Sequence, residues 1–159
     1  MILITLGTQD KQFTRLLDMV QKEIDKGNIN DKVIVQAGHT KYNSKDMEIF
    51  DLIDREKFSE LISKCDILIT HGGVGSIITG LQNNKKVIVA PRLAKYDENM
   101  NYHQIQITDN FSKAGYILPL YECDDLGEVL KKVKNFTPKK FKSNTEHMIK
   151  IISDYIDKN

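Results

Sequence analysis

A glycine-rich segment in the middle of the chain has the residue types and spacing that bind phosphate. It reads THGGVGS over residues 70–76 and lies between an apolar run and a helical pattern. Glycines let the backbone approach a ligand closely, and a helix that begins there adds partial positive charge. The segment predicts a phosphate or diphosphate site, with a tight packing turn as the alternative. The residues expected to face the anion are Gly72, Gly73, Val74, Gly75 and Ser76.

Two better-known phosphate motifs do not fit this segment. A P-loop requires a lysine after its glycines, and none follows here. The dinucleotide fingerprint starts at Gly73 and Gly75 but meets Ile78 where its last glycine belongs. The fingerprint also belongs on the first strand–helix turn, which here carries Gly7 and Thr8. The pattern therefore argues against a Rossmann-type oxidoreductase and adds a second small polar loop to the predicted anion site.

A third segment, residues 91–104, combines many hydrogen-bonding side chains after an apolar run. Sugar hydroxyls need paired donors and acceptors, which Asn101, His103 and Gln104 supply. The alternative is a solvated loop that Asn101 caps. His71 and His103 are candidates for catalytic assistance, although a lone histidine is more often a structural hydrogen-bonding group.

Apolar runs typical of strands alternate with helical patterns along the chain. Continuous apolar strands in such an alternation predict an α/β fold, a Rossmann-like parallel sheet with helices on both faces. Ligands of such sheets bind beyond the carboxyl ends of the strands, which selects the loops at 7–10, 36–43, 71–76 and 91–103. The predicted strands are 2–6, 32–37, 48–53, 66–70, 86–90 and 116–118, and the predicted helices are 11–26, 55–63, 75–83, 102–114, 124–134 and 143–157.

Composition bounds the class of protein. The 159 residues fit a single domain over 1–159, and a net charge of +1 argues against a nucleic-acid partner. The two cysteines, Cys65 and Cys123, lack the spacing of a zinc site, and no metal is expected. No signal peptide or run of about 20 apolar residues is present. We expect a cytoplasmic protein that reaches the inner face of a membrane only through a partner.

These motifs in this order resemble the C-terminal domain of glycosyltransferase family 28. The resemblance rests on HGGVGS at 71–76, KVIVAPR at 86–92, NYHQ at 101–104 and AGY at 114–116, together with the first strand running into Gly7 and Thr8. It is closest to single-domain members, the catalytic subunits of split UDP-N-acetylglucosamine transferases and their PssE-like relatives in capsule and exopolysaccharide synthesis. The resemblance implies the donor-binding, C-terminal half of a GT-B architecture, with a UDP-sugar as substrate.

The resemblance also assigns roles along the chain. It implies that Gly7, Thr8 and residues 72–76 face the diphosphate, and that Asn101, His103 and Gln104 approach the sugar. It places Gln36, Ala37 and Gly38 near the uracil. Many family members carry a glutamate that grips the ribose where this chain has Thr79, so ribose recognition is expected to be weaker or to come from elsewhere.

The implied reaction is an inverting transfer in which an acceptor hydroxyl displaces UDP. Backbone N–H groups and a helix dipole can stabilise the leaving diphosphate without metal, and the chain contains no Asp-x-Asp motif. The expected partner is a membrane-anchored subunit that holds a lipid-linked acceptor and can supply the base. The alternative is a nucleotide-binding regulatory module without transfer activity.

Overall fold

A computed structural model describes residues 1–144 and confirms the predicted fold class. Six parallel strands form one sheet in the order β3-β2-β1-β4-β5-β6. The helix predicted over 143–157 extends beyond the described residues. The strands are β1 Ile2–Thr5, β2 Val33–Gln36, β3 Met47–Phe50, β4 Ile67–Thr70, β5 Lys86–Val89 and β6 Leu118–Pro119; the helices are α1 Thr14–Asp25, α2 Arg55–Lys64, α3 Val74–Gln82, α4 His103–Lys113 and α5 Leu126–Asn135.

The sheet buries apolar side chains on both faces. Alternate residues of β1 point to opposite sides, so Ile4 joins the cluster that contains α1 and α5. Leu3 joins the cluster formed with α2, α3 and α4. The strands read as unbroken apolar runs because helices cover both of their faces.

β1 and β4 pair with each other in parallel at the centre of the sheet. From this pair, β2 and β3 follow β1 towards one edge, and β5 and β6 follow β4 towards the other. In sheets of this kind the loops on either side of that point diverge and leave a crevice at the carboxyl ends of the strands. The loop from Leu6 to Phe13 follows β1, and the glycine-rich loop from His71 to Gly73 follows β4. The two loops expected to bind anion therefore lie side by side.

Element boundaries differ from the predictions by up to three residues, and the third strand, expected over 48–53, covers Met47–Phe50. The first helix was expected from residue 11 but begins at Thr14, because the backbone of Phe13 is not helical, with φ −138° and ψ 48°. The last strand was expected over 116–118 but covers Leu118–Pro119. The backbone N–H of Tyr116 donates a hydrogen bond to the carbonyl of Phe111, which closes the end of α4, and Gly115 has a φ of +78°. A glycine in this conformation is the usual way to end a helix.

A fully buried arginine joins the loops at the carboxyl end of the sheet. Arg92, directly after β5, is 0% exposed. Its guanidinium makes a cation–π contact with Phe13, with 4.9 Å between the guanidinium carbon and the centroid of the ring. Its guanidinium donates hydrogen bonds to four backbone carbonyls, those of Leu6, Lys11, Gln12 and Glu98. Burial lowers the pKa of Arg92 to about 10, so the group remains charged at neutral pH.

We expect replacement of Arg92 by alanine to destabilise the protein by about 3 kcal/mol or more, because buried carbonyls lose their donors and a cavity opens. Urea unfolding measures the change. Arg55→Ala is the matched control, since Arg55 is exposed at the start of α2. Equal stabilities of the two variants would contradict the role given to Arg92.

Candidate functional site

A cavity of about 350 Å³ opens at the carboxyl end of the sheet, between the loops that follow β1, β3 and β4. Both loops that were predicted to bind an anion contribute residues to its lining. Its position agrees with the general rule for ligand sites in parallel sheets. Its lining residues are Gly7, Thr8, Gln36, Leu52, Ile53, Phe58, His71, Gly73, Gly75 and Ser76.

The start of α3 presents free backbone donors to this cavity. Gly73 is the N-cap residue and has no side chain to cap the helix. The N–H groups of Val74, Gly75 and Ser76 form no hydrogen bond with any of residues 1–144. A Cβ atom added at Gly75 would meet nothing within 4 Å. The open end of a helix with unpaired N–H groups is a favourable place for an anion.

Two glycines of the site are required by the packing of His71. A Cβ atom on Gly7 would lie 2.7 Å from Nε2 of the imidazole, and one on Gly73 would lie closer still. Gly38 is held equally closely, since its Cβ would collide with the carbonyl oxygen of Gly7. Gly7 and Gly38 also have φ values of +79° and +61°, which disfavour other residues. These glycines therefore serve the structure of the site as well as access to it.

The imidazole of His71 is neutral in this environment. Burial, reinforced by the charge of Arg92, lowers its pKa to about 4. Its Nδ1 lies 3.3 Å from the carbonyl oxygen of Thr5. Because a carbonyl only accepts hydrogen bonds, this contact places the proton on Nδ1 and leaves Nε2 as an acceptor.

Gln104 connects the glycine-rich loop to the segment after β5. Its Oε1 accepts hydrogen bonds from the backbone N–H of Gly72 and of Arg92, each at 3.1 Å. Both partners are donors, so the orientation of the amide is fixed. Its Nε2 forms no hydrogen bond with residues 1–144 and remains free to donate. The structure shows that Gln104 joins the glycine-rich loop to the segment after β5, and its expected contact with the sugar stays a prediction.

The other residues expected near the sugar lie outside the cavity. Asn101 accepts a hydrogen bond from the backbone N–H of His103, as the capping alternative anticipated. The exposed ring of His103 lies 3.4 Å from Gln106. Asn101 is on the loop after β5 and His103 begins α4, at the same end of the sheet as the cavity.

The residues expected near the nucleoside divide into two groups. Gln36 lines the cavity, and its amide donates to the carbonyls of Gly7 and Asp51. Ala37 and Gly38 are buried and do not line it, because their N–H groups continue the pairing with the segment after β3. Thr79 lies one turn further along α3 and does not line the cavity; its hydroxyl donates to the carbonyl of Gly75.

Sequence reasoning missed one wall of the cavity. Leu52, Ile53 and Phe58 provide an apolar side opposite the polar loops. Leu52 is 62% exposed, which is unusual for a side chain of its size. Its position just after β3, at the carboxyl edge, was the one available signal.

The fold is a Rossmann-like domain, and its cavity borders unpaired backbone donors of the kind that favour an anion. Residues 1–158 match the family model of the glycosyltransferase family 28 C-terminal domain, and the chain belongs to this family. The sequence-based resemblance is thereby confirmed.

The curated relatives that match this chain share one name. The chain is 33% identical over 107 residues to the UDP-N-acetylglucosamine transferase subunit ALG13 of Debaryomyces hansenii, covering 67% of this chain and 46% of that protein. It is 27% identical over 134 residues to the subunit of the same name from Candida albicans, covering 84% and 44%. The chain thus spans about half the length of the curated relatives it matches.

Solved structures share the fold. The NMR structure of ALG13 has a TM-score of 0.57 at 22% identity, with 89% of each chain covered. MurG from Acinetobacter baumannii has a TM-score of 0.55 at 13% identity, with 83% of this chain and 40% of that chain covered. The glycosyltransferase of kitacinnamycin has a TM-score of 0.59 at 14% identity, with 87% and 35% covered.

Substitution can separate the observed bridging role of Gln104 from its predicted contact with the sugar. Gln104→Ala removes the acceptor that holds Gly72, so we expect it to weaken binding of both UDP and UDP-N-acetylglucosamine. Gln104→Glu keeps an acceptor at that point but loses the Nε2 donor. We expect it to weaken UDP-N-acetylglucosamine several-fold more than UDP in calorimetric titrations. If Gln104→Glu lowers both affinities equally, the amide nitrogen does not contact the sugar.

The lowered pKa of His71 predicts a specific dependence of stability on pH. Between pH 6.5 and about 4 the unfolded chain binds a proton at this histidine and the folded protein does not. The free energy of unfolding therefore falls as the pH falls through this range, by about 3 kcal/mol in total from this group. Chemical unfolding at several pH values should show a smaller fall for His71→Asn. A fall of unchanged size would mean that His71 is not held neutral in the fold.

Proposed function

We propose that this chain is the UDP-sugar-binding catalytic subunit of a two-component inverting glycosyltransferase of the hexosyltransferase type. Its acceptor would be a lipid-linked saccharide held by a membrane-anchored partner subunit. The observation that carries the proposal is the cavity beside the unpaired N–H groups of residues 74–76. A family 28 domain with such a cavity is suited to hold the diphosphate of a nucleotide sugar.

The cavity has complementary walls for the parts of UDP. Its volume of about 350 Å³ is within the range of small-molecule sites. The diphosphate would lie against the start of α3, between that helix and the loop at Gly7 and Thr8. The apolar wall of Leu52, Ile53 and Phe58 suits the face of the base. We therefore place the uracil on this wall, with Gln36 at its edge.

Transfer requires stabilisation of the negative charge that develops on the leaving UDP. Unpaired N–H groups at a helix start can supply it without reorganisation. Within residues 1–144, no three His, Cys, Asp or Glu side chains are grouped so that they could hold a metal ion. We therefore propose that the transfer uses no metal or other cofactor, and that backbone groups stabilise the leaving diphosphate.

The base that activates the acceptor is proposed to come from the partner. His71 is a poor general base at neutral pH, because burial lowers its pKa to about 4. His103 is exposed at the same end of the sheet but outside the cavity. Neither histidine is thus placed to take a proton from a hydroxyl that attacks from the open side of the site.

Two comparisons support a separate acceptor-binding partner. The curated relatives are named as subunits of a UDP-N-acetylglucosamine transferase. The longer glycosyltransferases that share the fold are matched over only 35% and 40% of their chains. Within residues 1–144, no helix has the length and apolar character needed to cross a bilayer. We propose that the partner provides the membrane attachment at the cytoplasmic face.

The names of the relatives support UDP-N-acetylglucosamine as the first donor to test. These names give no support for a role in capsule or exopolysaccharide synthesis. That role rests only on the resemblance to PssE-like proteins. One observation favours a nucleotide-binding regulatory module instead: Thr79, on the helix where many family members carry a ribose-binding glutamate, has its hydroxyl bonded to its own helix. Transfer activity with a partner distinguishes the two functions.

Substitution of Gly75 tests the position of the diphosphate. A Cβ atom here has no neighbouring atom within 4 Å, so we expect Gly75→Ala and Gly75→Val to fold normally while blocking a ligand at the helix start. We expect the affinity for UDP-N-acetylglucosamine to fall about tenfold or more for Val, equivalent to about 1.4 kcal/mol, and less for Ala. Gly73→Val is a poorer test, because its side chain would displace His71. If Gly75→Val has a normal melting temperature and unchanged affinity, the diphosphate does not bind at the start of α3.

Activity tests the division into two subunits. We expect the purified chain alone to transfer no detectable sugar from UDP-N-acetylglucosamine to a lipid-linked acceptor. Addition of membranes that contain the acceptor-binding subunit should restore transfer. Efficient transfer by the isolated chain would contradict the two-component proposal, and binding without transfer in the presence of the partner would favour a regulatory module.

A further inference from the structure

The cavity proposed to hold a diphosphate has no charged side chain in its lining. Its ten lining residues include no Lys, Arg, Asp or Glu, and His71 is the single titratable side chain among them. A nucleotide sugar carries two negative charges on its diphosphate. Backbone N–H groups offset part of that charge, and no residue of the lining supplies a permanent cation.

The geometry of His71 leaves one nitrogen available to a ligand. Nδ1 is engaged with the carbonyl of Thr5 at 3.3 Å and with the hydroxyl of Thr70 at 3.4 Å. Nε2 forms no hydrogen bond with residues 1–144. It also remains within reach of solvent, since the one fully buried side-chain nitrogen or oxygen that lacks a partner in the described chain is Nε of Arg92. Nε2 lies between Gly7 and Gly73, the two glycines on which the anion is expected to rest.

We propose that His71 takes up a proton from solvent at Nε2 when the diphosphate binds, and that the resulting imidazolium donates a hydrogen bond to a phosphate oxygen. The N–H bond that forms at Nε2 is balanced by the bond to hydrogen that breaks in the buffer acid or hydronium ion, and the proton returns to solvent when the ligand leaves. The inference rests on the proposed function, since it requires a diphosphate in this cavity. It makes His71 a binding residue that stabilises the leaving group rather than a base.

The surrounding charges permit this change. Arg92 is the charged group that acts on His71 in the free protein, and it opposes protonation. The loop after β1 contributes Gly7 and Thr8, and the start of α3 contributes uncharged residues. One negative charge about 4 Å from the imidazole, at an effective dielectric constant of about 20, raises its pKa by about three units. That shift carries the pKa of His71 from about 4 in the free protein into the neutral range.

Calorimetric titration with UDP-N-acetylglucosamine tests the proposal, because neither phosphate of this diester titrates near neutral pH. Titrations at pH 6.5 in buffers of different ionisation enthalpy should show uptake of more than about half a proton per ligand. The dissociation constant should rise with pH by up to about tenfold per pH unit between the pKa of His71 in the free protein, about 4, and its pKa in the complex, and should level off above the latter. His71→Asn should bind about tenfold more weakly and without this pH dependence. His39→Asn, which removes an exposed imidazole, should behave as the wild type.

A spectroscopic measurement keeps the proposal testable if His71→Asn does not fold. NMR of the wild-type protein labelled in its imidazole nitrogens should show His71 neutral, with its proton on Nδ1, and then protonated on both nitrogens in the complex. Binding with no proton uptake and a neutral His71 would overturn this inference and leave the proposed function standing. An absence of any binding by the folded protein would overturn both.

Discussion

The hydrogen bonds from one buried guanidinium to backbone carbonyls hold together the end of the sheet where the site lies. Arg92 follows the strand next to β4, and its partners belong to the loop after β1 and to the segment at Glu98. A buried cation without such partners would be very costly, so the loops must take positions that satisfy it. Gln104 extends the same network by joining the backbone of Arg92 to that of Gly72. The glycine-rich loop is therefore fixed by contacts well outside the cavity.

The cavity is lined without any Lys, Arg, Asp or Glu. Its polar character comes from the unpaired N–H groups at the start of α3 and from side chains such as Gln36 and His71. Charged side chains pair with one another elsewhere, as Arg15 does through two 2.9 Å bonds with the buried carboxylate of Glu98. Such a site can favour an anion without binding every anion tightly, since the field comes from a helix end and not from lysines or arginines. This property accords with the proposed function, in which UDP has to leave after each transfer.

Much of the fold could be predicted from the sequence, because strands and helices leave local patterns. The buried run at Ile2–Thr5 and the glycine that ends α4 are examples of signals contained in a few neighbouring residues. The site was predictable in part for the same reason, since glycines before a helix have a local meaning. Arg92 gave no such signal, because three of its four carbonyl partners, those of Leu6, Lys11 and Gln12, are 80 or more residues away along the chain. The apolar wall at Leu52 and the bridging role of Gln104 likewise depend on tertiary contacts that no local pattern contains.

The central claim is that a UDP-sugar binds with its diphosphate at the start of α3. Backbone amide NMR of the isolated chain, titrated with UDP-N-acetylglucosamine, measures this residue by residue. The account predicts the largest shifts at Val74, Gly75 and Ser76, with accompanying shifts at Gly7 and Ile53. Saturable shifts confined to another surface, such as the groove between α1 and Tyr96, would contradict it.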